Sequence, residues 1–468
     1  MELPDLVKAR RRTDKDVEEI RYKLNELYQN IGLNKTYYVK TYGCQMNEHD
    51  SENIEGLLES VGFKKNSDME SADIIILNTC SIRENAHNKA FGMLGRLKHL
   101  KEKCPGKIVA LCGCMAQEEV VIDEILRKYK HVNFVFGTHN LYDLPRLIYE
   151  NINNKTNICV KSEEGKLIED LPVIRASQFK AYVNIIYGCD KFCTYCIVPY
   201  TRGKQRSRKM EDILDEVKEL KSLGYQEVTL LGQNVNAYGK DLHLGYDLSD
   251  LLIKVAETKI PRVRFITSHP WDFTDKMIDV IKKYDNIMPY VHLPLQSGSN
   301  RILKLMGRRY TKEGYKTLFD KLKKIDGISI TTDIIVGFPG ETESDFNDTL
   351  EMVNYCQYDS AFTFIYSPRV GTPAAKLKDD TPLEVKEQRL YKLNDLINHY
   401  SLISNQKMLN NEYLVLTEGK STKEGMMWGY TETNKMVNFP GNEELIGKIV
   451  KVKINDAKSF SLDGELVE

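Results

Sequence analysis

The segment GCDKFCTYCIVPY, residues 188–200, places Cys189, Cys193 and Cys196 close together, directly after the apolar run AYVNIIYG. Three thiols at this spacing can surround one inorganic centre. A structural zinc site would need a fourth ligand to complete its tetrahedron, but the next cysteine is Cys356 and no histidine lies nearby. A four-iron cluster with three protein thiolates would leave one iron open for a small molecule. The spacing therefore favours an iron–sulfur site, and zinc with a distant fourth ligand is the alternative.

This segment belongs to a series of alternating strand and helix patterns in the centre of the chain. Six β-rich runs begin at positions 181, 225, 262, 287, 328 and 360, with helical patterns between most of them. Such alternation indicates parallel strands. Six strands are fewer than the eight of a closed barrel, so the pattern predicts an open, partial (β/α)6 barrel. A long helical pattern follows over residues 382–410.

A second alternating series precedes the barrel and carries three further cysteines. Its β-rich runs cover residues 37–42, 72–78, 107–112 and 133–137, and they predict a doubly wound parallel sheet. Cys44, Cys80 and Cys114 each follow one of these strands directly. Because the carboxyl ends of parallel strands share one sheet edge, the three thiols are expected to converge there. They could instead be buried structural cysteines, which is our interpretation of the remaining four, Cys104, Cys112, Cys159 and Cys356.

The sequence around the second of these cysteines also predicts a helix start. The residues SIRE (81–84) have the pattern of a capping box, in which Ser81 and Glu84 bond the first turn. A cysteine beside a helix N-terminus is more easily held as the thiolate, the form that binds metal.

The fold class is thus α/β, with a small all-β domain at the end of the chain. Five short β-rich runs in the last 60 residues predict a small β-barrel. We expect an N-terminal extension over 1–35, a parallel-sheet domain over 36–153, the partial barrel over 175–405 and the β-barrel over 406–468. Within the extension, residues 16–30 have the pattern of a short amphipathic helix.

Composition excludes several classes of protein. The 468 residues are 41% apolar and 28% charged, so the chain is not predominantly disordered. A net charge of -1 excludes a generally basic, nucleic-acid-coating protein, although local basic patches remain possible. Ten cysteines are too few for a disulfide scaffold. No signal peptide or membrane span is visible, so we expect a cytoplasmic protein with reduced thiols and no membrane partner.

The motifs resemble those of the methylthiotransferases, a radical S-adenosylmethionine (SAM) family. YGCQMN, NTCSIRENA and GCMAQ are similar to the N-terminal domain of that family. GCDKFCTYCIVPYTRG, LLGQNVNAYG, HLPLQSGS, TDIIVGFPGET and YSPRVGTPAA are similar to its radical SAM core, and the last 60 residues to a TRAM domain, a small RNA-binding β-barrel. The resemblance covers about residues 36 to 468. The residues after the first two cysteines are most similar to the branch that acts on tRNA carrying isopentenyl-adenosine.

The resemblance implies both the cofactors and the reaction. Cys189, Cys193 and Cys196 would hold the [4Fe-4S] cluster that cleaves SAM to a radical, and Cys44, Cys80 and Cys114 an auxiliary [4Fe-4S] cluster that carries the sulfur. Two SAM molecules would be used per turnover, one to methylate the sulfur and one to activate the C2–H bond of isopentenyl-adenosine, 3' of the anticodon. Flavodoxin or ferredoxin would supply electrons to a monomeric enzyme. Relatives that modify threonylcarbamoyl-adenosine or a ribosomal protein, and a zinc-stapled RNA-binding protein without activity, remain the alternatives.

Further candidates come from strand ends and from basic stretches. Polar residues near the barrel mouth are expected to bind SAM. They are Gln233 and Asn234 after the second strand, Ser268 after the third, Gln296 after the fourth and Asp333 in the fifth. Two stretches, 200–209 and 301–324, are locally basic, and such patches can follow RNA phosphates. From these stretches we predict RNA contacts by Arg202, Arg206, Arg308 and Arg309.

Overall fold

The N-terminal part is a parallel sheet covered on both faces. The computed structural model of the chain describes residues 17–81, 84–154, 158–159 and 166–467. Six parallel strands pair in the order β3-β2-β4-β5-β6-β7; they are β2 (Thr36–Thr41), β3 (Lys64–Lys65), β4 (Ile74–Thr79), β5 (Ile108–Gly113), β6 (Phe134–Val135) and β7 (Ile158–Cys159). Four helices connect them, α1 (Gln45–Ser60), α2 (Glu84–Lys103), α3 (Glu119–Lys128) and α4 (Leu144–Asn154).

The two faces of this sheet bury different residues, which confirms the doubly wound fold. On one face, β4 residues such as Ile74 pack against Leu57 of α1 and Leu147 of α4. On the other, Ile75 packs with Leu94 of α2. Strands buried on both faces read as continuous apolar runs, as IIIL does here.

The prediction of an amphipathic helix over residues 16–30 is wrong. Residues Glu18–Arg21 form a strand, β1, which pairs in parallel with β8 (Lys166–Glu169), and residues Glu26–Tyr28 form one 3-10 turn. The backbone groups of this segment bond to a partner about 150 residues away, for example from the Tyr22 N–H to the Glu169 carbonyl at 2.9 Å. Pairing at that distance overrides a local periodicity.

The centre of the chain forms the open half-barrel that the sequence predicts. Two parallel three-stranded sheets, in the orders β13-β12-β9 and β14-β15-β16, are joined by a bridge between Val263 and Ile287. The strands are β9 (Lys180–Asn184), β12 (Glu227–Leu231), β13 (Arg262–Phe265), β14 (Tyr290–His292), β15 (Ser329–Val336) and β16 (Ser360–Ile365), and a hairpin of β10 (Ile186–Tyr187) and β11 (Arg206–Ser207) follows the first strand.

Helices cover the outside of the half-barrel and end in one long helix. They are α5 (Val198–Thr201), α6 (Met210–Ser222), α7 (Leu248–Glu257), α8 (Asp275–Lys283), α9 (Asn300–Leu305), α10 (Lys312–Leu322), α11 (Glu343–Cys356) and α12 (Leu383–Gln406). Alternate strand residues, such as Val228 and Ile330, point outwards into a common core with α6, α7, α8, α10, α11 and α12. The intervening residues therefore line the inside of the barrel.

The C-terminal strands close into the predicted small barrel. They pair in the order β17-β18-β19-β21-β20 and are β17 (Glu412–Lys420), β18 (Met426–Thr431), β19 (Met436–Pro440), β20 (Ile449–Ala457) and β21 (Leu462–Leu466). The Arg262 guanidinium of the half-barrel donates to the carbonyls of Leu414 and Tyr430, at 2.8 and 2.9 Å. The small barrel is thus fixed to the amino-terminal end of β13. None of the described helices is long and apolar enough to cross a membrane.

Candidate iron–sulfur sites

Cys44, Cys80 and Cys114 lie at one edge of the N-terminal sheet. Strands β2, β4 and β5 are neighbours. Cys44 caps the start of α1, Cys80 follows β4 directly, and Cys114 begins a 3-10 turn directly after β5. The Cys80 thiol donates a hydrogen bond to Cys44 Sγ, and Cys44 is near enough to Cys114 to add to the effect of burial in raising the pKa of Cys114. The structure therefore brings together three thiols that are widely separated in sequence.

Two asparagines and a glycine hold these turns in place. Asn47 Nδ2 donates to the Asn78 side-chain oxygen at 3.1 Å and to the Thr79 carbonyl at 3.2 Å. Asn78 Nδ2 returns a bond to the Asn47 carbonyl at 2.8 Å. Gly113 has φ +91°, and a Cβ there would lie 2.3 Å from the Thr79 carbonyl oxygen. Neither asparagine is among the site residues predicted from sequence, although each stands within three residues of a cysteine.

The electrostatics of this edge favour a thiolate at Cys44. The hydrogen bond from Cys80 is the largest of the effects that lower the pKa of Cys44 to about 6. The Arg202 charge and the backbone N–H groups of Met46 and Asn47, at the start of α1, lower it further, whereas burial opposes the shift. Burial raises the pKa of Cys114, and the Arg202 charge opposes this shift. The predicted capping box of the neighbouring turn involves the Glu84 side chain, which lies outside the described residues.

Cys189, Cys193 and Cys196 lie on the loop that follows β10. The Cys189 N–H bonds the Gly203 carbonyl at 3.1 Å, and the Cys196 N–H bonds the Cys193 carbonyl at 2.9 Å. Arg308 Nη1 donates to Cys193 Sγ at 3.3 Å. The loop is therefore fixed by its own backbone, with one buried cation against one of its thiols.

These loop thiols are costly to ionise without a metal centre. Burial raises the pKa of Cys189 to about 12, and burial together with the neighbouring cysteines raises that of Cys196. Coordination to a metal deprotonates a thiol outright. Among the described residues, no three Cys, His, Asp or Glu side chains are close enough to hold a single metal ion. In an iron–sulfur cluster, by contrast, each protein thiolate binds a different iron, so the thiols need not meet at one point. The two sets of three thiols, each with an arginine that donates to one sulfur, therefore fit a cluster better than a single metal ion.

Two of the five predicted SAM-binding residues retain free polar atoms in buried positions. Among the described residues, Asn234 Oδ1 and Ser268 Oγ are buried without a hydrogen-bond partner. Gln233 Oε1 instead accepts from the Gly188 N–H at 2.7 Å, and thus supports the cysteine loop. Gln296 is buried with φ +68°, and Asp333 lies 3.3 Å from the His292 ring. Asn234 and Ser268 therefore fit contact with a polar ligand best.

Asp272, which is not among the residues predicted from sequence, connects the cysteine loop to the barrel mouth. Its carboxylate lies 2.6 Å from Lys191 Nζ, between the first two loop cysteines, and 2.6 Å from Lys240 Nζ. It also accepts from Asn234 Nδ2 at 2.7 Å. These cations and hydrogen bonds lower the pKa of Asp272 despite its burial. A single aspartate in the sequence WDF gives no local signal of this role.

Three of the four predicted RNA-binding arginines are buried. Arg202, Arg206 and Arg308 are at most 9% exposed, so their guanidinium groups do not form an accessible basic patch. Arg202 and Arg308 contact cysteine sulfurs instead, and Arg206 donates to the Arg202 carbonyl at 3.4 Å. The prediction that these three arginines contact RNA phosphates is therefore wrong. Arg309 is exposed and remains a candidate.

Three family models match the chain in the order of its three folded parts. The first, "Uncharacterized protein family UPF0004", matches residues 36–137. "Radical SAM superfamily" matches residues 183–353, and "TRAM domain" matches residues 406–467. The half-barrel is thus a radical SAM domain and the closed barrel a TRAM domain.

Similar proteins extend over nearly the whole chain. The protein "tRNA-2-methylthio-N(6)-dimethylallyladenosine synthase" from Staphylococcus aureus (strain MRSA252) is 51% identical over 99% of this chain and 91% of its own length. The protein of the same name from strain JH9 matches equally. Among solved structures, the radical S-adenosylmethionine methyltransferase TsrM from Kitasatospora setae has a TM-score of 0.53 at 13% identity, covers 76% of each chain and indicates shared fold alone. The chain therefore belongs to the family of tRNA-2-methylthio-N(6)-dimethylallyladenosine synthases, which are radical SAM methylthiotransferases.

Proposed function

We propose that this enzyme converts N6-isopentenyl-adenosine, 3' of the anticodon in tRNA, to its 2-methylthio derivative. Identity of 51% over the full chain to a synthase of that name supports the substrate. The observation that carries the proposal is the presence of two separate sets of three thiols, one at a sheet edge and one on the barrel loop. When bound, two [4Fe-4S] clusters and two SAM molecules per turnover supply the C–H activation, the sulfur and the methyl group.

The cysteines of this chain divide the work between the two domains. Cys189, Cys193 and Cys196 hold the radical SAM cluster, and Cys44, Cys80 and Cys114 hold the auxiliary cluster over residues 36–153. Three protein ligands leave one iron of each cluster open to a small molecule. Adenine C2 carries an unactivated C–H bond that side-chain acids and bases cannot open, so the protein contributes binding and orientation.

The half-barrel and the TRAM domain place the two substrates. Over residues 175–405, Asn234 and Ser268 present unbonded polar atoms to SAM, and Arg309 offers an exposed cation for an RNA phosphate. The TRAM domain over 406–468 adds RNA contacts beside the barrel. We propose a monomer in the cytoplasm that takes single electrons from flavodoxin or ferredoxin. The reducing environment of the cytoplasm keeps the cysteine thiols reduced.

Paired cysteine variants test this division. Cys193→Ala removes a ligand of the radical SAM site, so formation of 5'-deoxyadenosine from SAM should be lost. Cys80→Ala should retain SAM cleavage but form no methylthio product on tRNA. Cys104→Ala replaces an exposed cysteine and serves as the matched control with unchanged activity. Methylthio product at the normal rate from the Cys80 variant would contradict the sulfur role of the N-terminal domain.

The nucleoside substrate is tested separately from the chemistry. Nucleosides of tRNA from cells that lack the protein should retain isopentenyl-adenosine and lose its 2-methylthio derivative. Loss of a methylthio group from threonylcarbamoyl-adenosine or from a ribosomal protein would reject the substrate and keep the reaction class. A colourless protein with one zinc would instead support the RNA-binding alternative.

A further inference from the structure

Arg202 contacts a cysteine of the N-terminal set, and the residue that follows it contacts a cysteine of the loop set. Its side chain leaves the radical SAM domain, and its Nε donates to Cys114 Sγ of the N-terminal domain at 3.2 Å. The carbonyl of the next residue, Gly203, accepts the N–H of Cys189 at 3.1 Å. The segment that follows the loop cysteines therefore links mechanically to a cysteine of the other site.

The surroundings of Arg202 fix its orientation. Its Nη2 donates to Asp50 Oδ2 at 2.6 Å, and both side chains are about 5% exposed or less. Asp50 belongs to α1, whose N-cap residue is Cys44. A guanidinium group is planar and always charged, so one edge can bind the carboxylate while Nε faces the sulfur. Asp50 thus holds the cation in place and balances its charge.

We propose that Arg202 is a positioning residue that orients Cys114 as a ligand and raises the reduction potential of the auxiliary cluster, without acting on the radical SAM cluster. The inference rests on the proposed function, since it requires a cluster at Cys44, Cys80 and Cys114. Hydrogen bonds to ligand sulfurs and nearby positive charge stabilise the more negative, reduced state of a cluster. Burial strengthens both effects because water does not screen them.

The radical SAM site has a donor of its own, which gives the experiment an internal comparison. Arg308 Nη1 contacts Cys193 Sγ at 3.3 Å and is also buried. Substitution of Arg308 should change the potential of that cluster and leave the auxiliary one unchanged. Each arginine is therefore expected to affect the potential of its own cluster only, with the same sign at both sites.

The test is a redox titration, followed by electron paramagnetic resonance, of the full-length protein with both clusters. Removal of Arg202 alone would leave Asp50 buried and unpaired, a change that can unfold the chain, so the test uses Arg202→Gln combined with Asp50→Asn. Because this pair of substitutions removes no net charge, the expected shift comes from the lost hydrogen bond to Cys114 Sγ and from loss of the guanidinium that directly contacts this sulfur. At a fixed potential, the reduced-to-oxidised ratio of the auxiliary cluster should fall about tenfold, which is about 59 mV for one electron. The radical SAM signal should be unchanged, and Arg308→Gln should give the converse.

A second variant covers the case in which the double substitution does not fold. Arg202→Lys keeps the charge but cannot donate to Asp50 and Cys114 together in the fork geometry, so it should give a smaller shift of the same sign. Iron lost only from the auxiliary site, in either variant, supports the positioning role. Unchanged auxiliary potential at full iron content, or equal changes at both sites, overturns the inference. Failure of the unmodified protein to bind a second cluster would instead overturn the proposed function.

Discussion

His49 gives a pH-dependent stability that can be calculated from the structure. It lies on α1, is 5% exposed, and its Nδ1 accepts from Asn53 Nδ2 at 3.3 Å and from Asn184 Nδ2 at 3.0 Å. Asn184 belongs to β9, so the neutral ring joins the N-terminal domain to the half-barrel. Burial, together with the charge of Arg175, lowers the pKa of His49 to about 3. Protonation would remove the acceptor that both amides use.

The sign and size of the effect follow from the two pKa values. The unfolded chain binds a proton at His49 below about pH 6.5, whereas the folded chain does not until about pH 3. The free energy of unfolding therefore falls as the pH falls through this window, by about 1.4 kcal/mol per pH unit. Between pH 6.5 and 5.0, the loss from this group is about 2 kcal/mol.

The assay compares the unmodified chain with His49→Gln, which keeps an acceptor but does not titrate. Both are prepared with the same iron content, and urea unfolding is followed by circular dichroism at several pH values. Since other groups titrate in both proteins, their contributions cancel in the difference. The unmodified chain should lose about 2 kcal/mol more than the variant between pH 6.5 and 5.0. Parallel pH profiles would refute the assignment of a buried neutral histidine.

Three further expectations concern the cysteine edge and the TRAM domain. Gly113→Ala should displace the turn before Cys114 and reduce the iron content from about eight to about four atoms per protein. Gly106→Ala, with no atom within 4 Å of the added Cβ, should retain the full iron content. Full iron content in both variants would contradict the steric argument. In cluster-free protein, the rate of Cys44 alkylation by iodoacetamide, measured by mass spectrometry, should be half-maximal near pH 6. Cys189, with a pKa of about 12, should react only in strong alkali. Equal pH profiles for the two cysteines would refute these pKa shifts. Arg262→Ala removes two charged hydrogen bonds to the TRAM barrel, at a cost of about 3 kcal/mol. Hydrogen–deuterium exchange in β18 should rise while SAM cleavage continues. Unchanged exchange would show that other contacts hold the domain.

The strands and the convergence of the N-terminal cysteines could be predicted because they depend on local pattern and one topological rule. Runs such as IIIL are apolar enough to indicate buried parallel strands. The rule that parallel strands end at one edge then places Cys44, Cys80 and Cys114 together, whatever their separation in sequence. No knowledge of side-chain contacts was needed for this step.

Features that depend on distant partners could not be predicted. Arg202 and Arg308 stand in basic stretches, and local charge density gives no sign that each is buried against a sulfur contributed from about 90 to 115 residues away. The local pattern predicts a helix where β1 forms, because the partner strand β8 lies far along the chain. Asp272 was overlooked for the same reason, since Lys191 and Lys240 reach it from other loops.

The most direct test of the account is the iron and sulfide content of protein purified without oxygen, alone and after substitution of Cys44, Cys80 and Cys114 by alanine. We predict about eight irons in the unmodified protein and about four in the triple variant, with the remaining cluster still able to cleave SAM. Equal iron content in the two proteins, or a single zinc ion in place of iron, would contradict the assignment of two clusters to two sets of three thiols.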